Sequence, residues 1–477
     1  MRIGSFESLF VSPKLIVGQN KTLPTKVLNQ FVIEPLPDAP PAFLVASASD
    51  VHLENHSGNH LSRENKTSNS NGKPFENPHR THFRMWLTDG LINKEIEKTN
   101  DRKQVTLVLL GDIFDFNASW TMDSMPYGRK GKITDTNINQ QIFKEIVSNN
   151  YSIVMELRRF LEASKYSRVV NVRGNHDNLL FLDPNLQKLL QETLLPGAGV
   201  EERNKRIIFT NSVTAPVLGY YAEHGQRFDS FNYSKNGSLT LGDWFTIKTS
   251  ILFYRISEQL RKLDLEEKTK GKIIDRVKLM ECVRPTPAVL MYLDTLADNY
   301  YEQYQDKDRV SAKNIRDIIM SYSEEIGAIL EELPLLQKLN DIEIFPSRLL
   351  NWVIRRRQLQ SFSARAIAWI EYLKTDSNTP QIEEAKKLVK SNTSLQYFAG
   401  GHTHKVEELD DRRNGFHYFN LGSWMPLIKG LKKGEPQSIL PRSILKLETD
   451  LATKKRKPRI NFEFNTIVEG TTKSKPS

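Results

Sequence analysis

Cysteine is almost absent from this 477-residue chain. Cys282 stands alone, and a single thiol cannot close an intramolecular disulfide, so nothing calls for an oxidising compartment and a cytoplasmic setting is expected. Long apolar runs are missing too. Stretches such as Phe43 to Ala48 fall far short of the roughly 18 apolar residues of a membrane-spanning helix, so any membrane contact is expected to be peripheral. Residues Met1 to Gly18 lack the compact apolar stretch of a secretory signal, being broken at Ser12 and Pro13, and are expected to belong to the mature chain. Acidic residues are outnumbered, 57 against 67 Lys and Arg, and the net charge of +10 favours encounter with anionic partners.

What is present is an ordinary globular composition, with 39% hydrophobic and 26% charged residues. At roughly 150 residues per domain, two or three folded units are expected. Six short apolar runs end abruptly in polar clusters, as buried strands do when they deliver loops to one sheet edge: Phe43–Ser47, Val105–Leu110, Arg168–Val172, Val217–Ala222, Leu395–Ala399 and His417–Leu421. Between the second and third, Gln140–Ser164 carries the apolar spacing of crossover helices, and an α/β layered core follows. Asn55 to Asn77, rich in Asn, Ser, Gly and Lys, reads as a long loop. From Leu241 to Lys390 the pattern turns helical, around Phe245–Leu263, Ala288–Tyr304, Asn314–Leu333 and Ser347–Leu373. The expected division is therefore a core over residues 1–240, an inserted helical unit over 241–390, and a second part of the core over 391–477. Ile444–Thr449 and Arg459–Asn465 suggest a terminal hairpin.

Each of the first five strands ends in a cluster of residue types that can serve as metal ligands. The clusters are Asp50-Val51-His52, Gly111-Asp112-Ile113-Phe114-Asp115, Gly174-Asn175-His176-Asp177, Glu223-His224-Gly225 and Gly400-Gly401-His402-Thr403-His404. In an extended segment alternate residues project to one side, so Asp-x-His and His-x-His can each converge on a cation. Adjacent glycines let the chain turn where strand becomes loop. In this order the clusters resemble the signature of the calcineurin-like metallophosphoesterases: D-x-H, G-D-x-x-D, G-N-H-D/E, a lone H, and G-H-x-H. The match covers about residues 43–240 and 395–430.

The resemblance implies a layered α-β-β-α sandwich and two divalent metal ions. It makes Asp50, His52 and His404 ligands of one metal, Asn175, His224 and His402 ligands of the other, and Asp112 a bridge. Carboxylate, amide and imidazole donors suit Mn²⁺, Fe or Zn²⁺, and the lack of thiolate argues against a structural zinc site. It further implies hydrolysis of an anionic phosphorylated substrate by a metal-bound hydroxide, with His176 stabilising the leaving oxygen and Asp115 orienting His176. His56, His60, His79, His82 and His417 match no position of the pattern. Asp115 is followed by Phe116 rather than the arginine of the protein Ser/Thr phosphatases. Leu110–Phe116, Ser49–Leu53, Gly401–His404 and Asn420–Trp424 look like the branch containing UDP-2,3-diacylglucosamine hydrolase, which implies a phosphodiester or pyrophosphate substrate. Two departures stand against a closer transfer: His176 occupies a place where many of those enzymes carry arginine, and the helical insert is longer than their lid. The basic runs Arg355–Arg357 and Lys454–Lys457 keep a DNA or RNA nuclease as an alternative. A non-catalytic interaction module on the same fold is a further alternative, although it would be expected to have lost ligands and none of the set is missing.

Overall fold

Strands covered on both faces have no polar side to show, and the runs that read as continuously apolar form the centre of the protein. The computed structural model describes residues 30–36, 38–53, 78–100, 102–117, 136–229, 232–233, 240–282, 289–306, 308–339, 378–425, 427–432, 435–452 and 458–468. Its strands are Gln30–Val32 (β1), Ala42–Ala48 (β2), Lys103–Leu110 (β3), Ser167–Val172 (β4), Ile207–Thr210 (β5), Ser212–Ala215 (β6), Tyr220–Glu223 (β7), Tyr397–Gly400 (β8), Val406–Asp411 (β9), Phe416–Leu421 (β10), Leu427–Lys432 (β11), Glu435–Asp450 (β12) and Arg459–Val468 (β13). The α-helices are Pro78–Met85 (α1), Thr136–Asn149 (α2), Tyr151–Glu162 (α3), Asn178–Leu182 (α4), Pro184–Leu194 (α5), Val200–Arg206 (α6), Leu241–Arg261 (α7), Glu267–Lys278 (α8), Val289–Tyr304 (α9), Arg309–Leu339 (α10) and Thr379–Ser391 (α11).

The protein is α/β, with two mixed sheets. In the seven-stranded sheet β2, β3, β4 and β5 run parallel, and β12 pairs antiparallel with β2. β12 is long enough to hold β13 along one edge and β11 and β2 in succession along the other. The six-stranded sheet is ordered β1-β6-β7-β8-β10-β9. Period-two alternation sends Phe43 and Val45 of β2, Val108 of β3 and Val170 of β4 into a shared core with Val213, Tyr220, Ala222, Ala399 and Phe419 of the other sheet. The alternate residues Leu44, Ala46, Leu107 and Val169 face helices α1 to α3 and α5. On the far side α11 places Ala385 against Phe398, Phe416 and Tyr418. The order of layers is therefore helices, sheet, sheet, helix. Helices α7 to α10 enclose a separate core, which Ile428 of β11 joins to the seven-stranded sheet.

Most expected strands lie within two residues of their expected ends. Val217–Ala222 departs from this: Pro216 opens a 3₁₀ turn over Pro216–Leu218, Gly219 closes it at φ 61°, and β7 starts only at Tyr220. The terminal strands are also longer than expected, β12 starting at Glu435 rather than Ile444 and β13 running on to Val468 past Asn465. Helix α10 runs past Pro334, where a stop was expected after Leu333. The segments expected as a loop at Asn55–Asn77 and a helix at Ser347–Leu373 lie outside the described residues, as do Arg355–Arg357 and Lys454–Lys457. Among the described residues no helix is long and apolar enough to cross a membrane.

The wide turns of a π-helix, Trp86–Ile96, pack on the outer face of the seven-stranded sheet, and Glu95 ties them down. Its carboxylate meets Lys103 Nζ of β3 at 2.8 Å and Lys446 Nζ of β12 at 3.0 Å, and Lys103 also meets Glu448 at 2.8 Å. Removing one partner of a buried ion network strands the others. Glu95→Ala should therefore cost about 3–5 kcal/mol, read as a fall in the thermal midpoint, and an unchanged midpoint would contradict the assignment.

Candidate metal centre

The loops that leave β2, β3, β4, β7 and β8 meet at one end of the two sheets and are stitched together by their backbones. Asp50 N donates to Gly111 O at 3.1 Å, His52 N to Asp112 O at 2.9 Å, Asp115 N to Leu53 O at 2.9 Å, Phe116 N to His176 O at 3.2 Å, and Gly401 N to His224 O at 2.9 Å. Trp424 N and Ser423 Oγ both donate to Asp50 O at 3.1 Å, so the Asn420–Trp424 segment braces the first cluster. Arg80 of α1 holds the carbonyl of His52 at 3.1 Å.

These turns are sharper than an extended Asp-x-His or His-x-His would make them. Asp50, His52, Asp112, His402 and His404 all have left-handed backbone, with φ of 53°, 50°, 53°, 72° and 57°. Such a conformation costs an L-residue about 1–2 kcal/mol, and apart from these only Asp38 and Asn100 adopt it among the described non-glycine residues. The side chains converge because the backbone coils beneath them, which corrects the expectation of an extended triplet. Gly174 serves proximity rather than turning: a Cβ there would overlap the Asp112 carboxylate.

The side chains form two groups. In one, Asp50 Oδ1 lies 3.2 Å from His404 Nε2 and 3.9 Å from His52 Nε2, and the two ring nitrogens are 3.3 Å apart. In the other, Asp112 Oδ2 lies 3.1 Å from His224 Nε2, and Asn175 Oδ1 lies 3.1 Å from His402 Nδ1. The ligand atoms of Asp112, His224 and His402 lie within 4.8 Å of one another, as do those of Asp50, His52 and His404. The two groups are linked through His402 N, which donates to Asp50 Oδ2 at 3.0 Å. Asp115 Oδ2 lies 3.0 Å from His176 Nδ1, its expected partner, and also 3.1 Å from His52 Nδ1. His52, Asp115 and His176 thereby make a third compact group that the motifs did not announce.

Charge compensation dominates here. Burial alone would raise the Asp50 carboxyl, but facing His224 and His404 bring it down to about 2. Asp112 and Asp115 are likewise held below the ordinary carboxylate range against burial, by His224 and His176 for the first and His176 and His52 for the second. Burial would depress the imidazoles. Instead Asp115 and Asp112 push His176 up to about 10, and Asp112 and Asp50 push His224 up to about 9. Asp177 goes the other way, raised to about 7 by burial and by Asp112, although it accepts from Gly174 N at 2.7 Å and Ile113 N at 3.1 Å.

The donor set fits divalent cations. Asp50 Oδ1 and His224 Nε2 are buried with no hydrogen-bond partner, and both point into the groups described. His224 Nδ1 donates to Leu110 O at 2.8 Å, which leaves Nε2 as the atom that can turn to an ion once its proton is lost. Oxygen and nitrogen donors without thiolate suit Mn²⁺, Fe or Zn²⁺.

Sequence reasoning missed the supports. Asn117, two residues past Asp115, donates to Asp243 Oδ1 at 2.7 Å, and Asp243 closes the capping box of α7 with Thr240. Thr240-x-x-Asp243 was the available signal. At the other end of the helical segment Asn378 Oδ1 accepts from Thr403 Oγ1 at 2.7 Å and from Asn420 Nδ2 at 2.9 Å, and Gln381 Nε2 donates to Gly401 O at 3.3 Å. His417 pairs instead with Glu408 at 3.0 Å, His82 lies on α1, and His56, His60 and the His79 side chain lie outside the described residues. No family model matches the chain, and no curated protein matches it.

The pKa shifts set a stability profile for the chelated protein. Histidines raised from 6.5 to about 9 and 10 contribute stability that is present below pH 6.5 and is lost as pH rises through 9 and 10. Asp50, lowered from 3.8 to about 2, contributes stability that is lost as pH falls through 2. In chelator the thermal midpoint should peak at mildly acidic pH and fall from pH 6.5 toward 9. A flat or rising midpoint over that range would contradict the pairing.

Proposed function

We propose that this chain is a two-metal phosphoesterase of the metallophosphoesterase type, hydrolysing a phosphodiester or pyrophosphate bond. The observation that supports this best is the meeting of all five motifs at one end of the paired sheets, with buried ligand atoms left unsatisfied. The helix-sheet-sheet-helix order of layers agrees with the sandwich of that superfamily.

One ion would be held by Asp50, His52 and His404, a second by Asn175, His224 and His402, with Asp112 shared. Bound there, such ions would supply Lewis acidity and a water deprotonated near neutral pH. The protein's own part is to hold and orient. Asp115 takes the Nδ1 side of His176, so Nε2 is the atom left to carry the proton that the leaving oxygen needs. Because Asp115 also fixes His52, one carboxylate aligns the proton donor with a ligand. The helical segment is rooted in the site at both ends, through Asp243 on Asn117 and through Asn378 and Gln381 on the Gly401–Thr403 loop. It is therefore the element suited to choosing the substrate, as remote binding energy does in other enzymes.

Chelator-stripped protein should lose hydrolysis of bis-p-nitrophenyl phosphate and regain it with Mn²⁺. Full activity in chelator would sink the reading. His176→Ala should keep both metals while turnover falls by about 10²–10⁴, whereas Asp112→Asn should lose metal as well. Equal metal loss in the two variants would make His176 a ligand, within the group it forms with His52 and Asp115.

A further inference from the structure

His402 is held from both sides. Its Nε2 lies 2.9 Å from Asp229 Oδ2, and its Nδ1 lies 3.1 Å from Asn175 Oδ1. An ionised carboxylate can only accept, so the nitrogen facing Asp229 is the one that carries hydrogen. In the neutral ring Nδ1 then presents a lone pair to a carbonyl oxygen. Two acceptors that close repel each other unless a proton or a metal ion lies between them.

The arrangement reverses that of its neighbours. His52 has Nδ1 on Asp115 and His224 has Nδ1 on Leu110 O, so both turn Nε2 inward. His402 turns Nε2 outward, toward a carboxylate that none of the five motifs contains. Asp229 is itself fixed: Oδ2 accepts from Asn232 Nδ2 at 2.7 Å, its N–H donates to Gln226 O at 3.0 Å, and its carbonyl accepts from Asn232 N at 3.0 Å. The turn that carries it is anchored by Arg227, whose guanidinium pairs with Glu223 at 2.5 Å and Glu384 at 3.1 Å and lies over the Phe228 ring at 4.1 Å. A surface carboxylate without a task would have no need of this bracing.

We propose that Asp229 is the positioning residue of the second metal site, holding the Nε2–H of His402 so that Nδ1 faces the ion together with Asn175. This rests on the two-metal reading above. A carboxylate behind a ligating imidazole fixes its tautomer and ring angle and raises its basicity, and removing such a partner weakens metal binding by about 10–100-fold.

The test is calorimetric titration of the chelated full-length protein with Mn²⁺, for wild type, Asp229→Ala and Asp229→Asn. In Asp229→Ala the Kd of one of two sites should rise by about 10–100-fold while the other is unchanged. Asp229→Asn, whose amide oxygen can still accept from Nε2–H, should recover most of the loss. A role confined to bracing the turn would lower thermal stability and leave both Kd values alone. ¹⁵N-histidine NMR of the metal-free protein gives an independent readout: the Nε2–H tautomer of His402 in wild type, and a mixture in Asp229→Ala. Wild type that binds two ions, with Asp229→Ala binding both as tightly, overturns the role of Asp229 alone, as does an Nδ1–H tautomer in wild type. Wild type that takes up no Mn²⁺ overturns the two-metal reading and this inference with it.

Discussion

Buried carboxylates can stay ionised only where cations face them, and one end of this protein is organised by that requirement. Asp50, Asp112 and Asp115 have almost no exposure, and imidazoles stand against each of them. Removing the imidazoles would leave buried charges uncompensated at the end of the two sheets. Asp50 Oδ1 and His224 Nε2 nonetheless face their charged neighbours, His404 at 3.2 Å and Asp112 at 3.1 Å, without making a hydrogen bond. An arrangement that bears left-handed backbone at five ligand-type residues, and still leaves such atoms unsatisfied, is better suited to hold ions than to stabilise a fold.

The same constraint explains how the helical segment is attached. Its first helix is capped by Thr240, whose capping box is closed by Asp243; Asp243 also accepts from Asn117, and Asn117 N in turn donates to Asp115 Oδ1 at 3.1 Å. Its return passes through Asn378, which shares Thr403 and Asn420 with the His402–His404 loop. A displacement of either root is thus felt two residues from Asp115 or within the loop of His402. Between the roots the helices have their own core, joined to the sheets at Ile428. That combination supports the proposed role of the helical segment in choosing the substrate.

Much of this was legible in the residues. The doubly buried strands showed as uninterrupted apolar runs, and the chemistry-bearing residues followed them directly, so strand ends and candidate ligands were found together. The coiling of the backbone was not legible: Asp50 and His52 look like alternate residues of a strand, and the turn shows only in their left-handed φ of 53° and 50°. The second duty of Asp115, toward His52, was equally hidden, since spacing says nothing about which of two imidazoles a carboxylate will face. Asp229 carried no signal of its own, because its partner lies more than 170 residues away in sequence. Pro216 and Gly219 mark the short turn before β7, although Val217 and Leu218 within it are as apolar as the strand that follows.

In the proposed arrangement the five loops build two adjoining cation sites, divided as Asp50, His52 and His404 on one side and Asn175, His224 and His402 on the other, with Asp112 between. Anomalous scattering from crystals soaked in Mn²⁺ tests it most directly. Two peaks are expected, one within each group and both within reach of Asp112. A single peak, or a peak held by His52, Asp115 and His176, would contradict it.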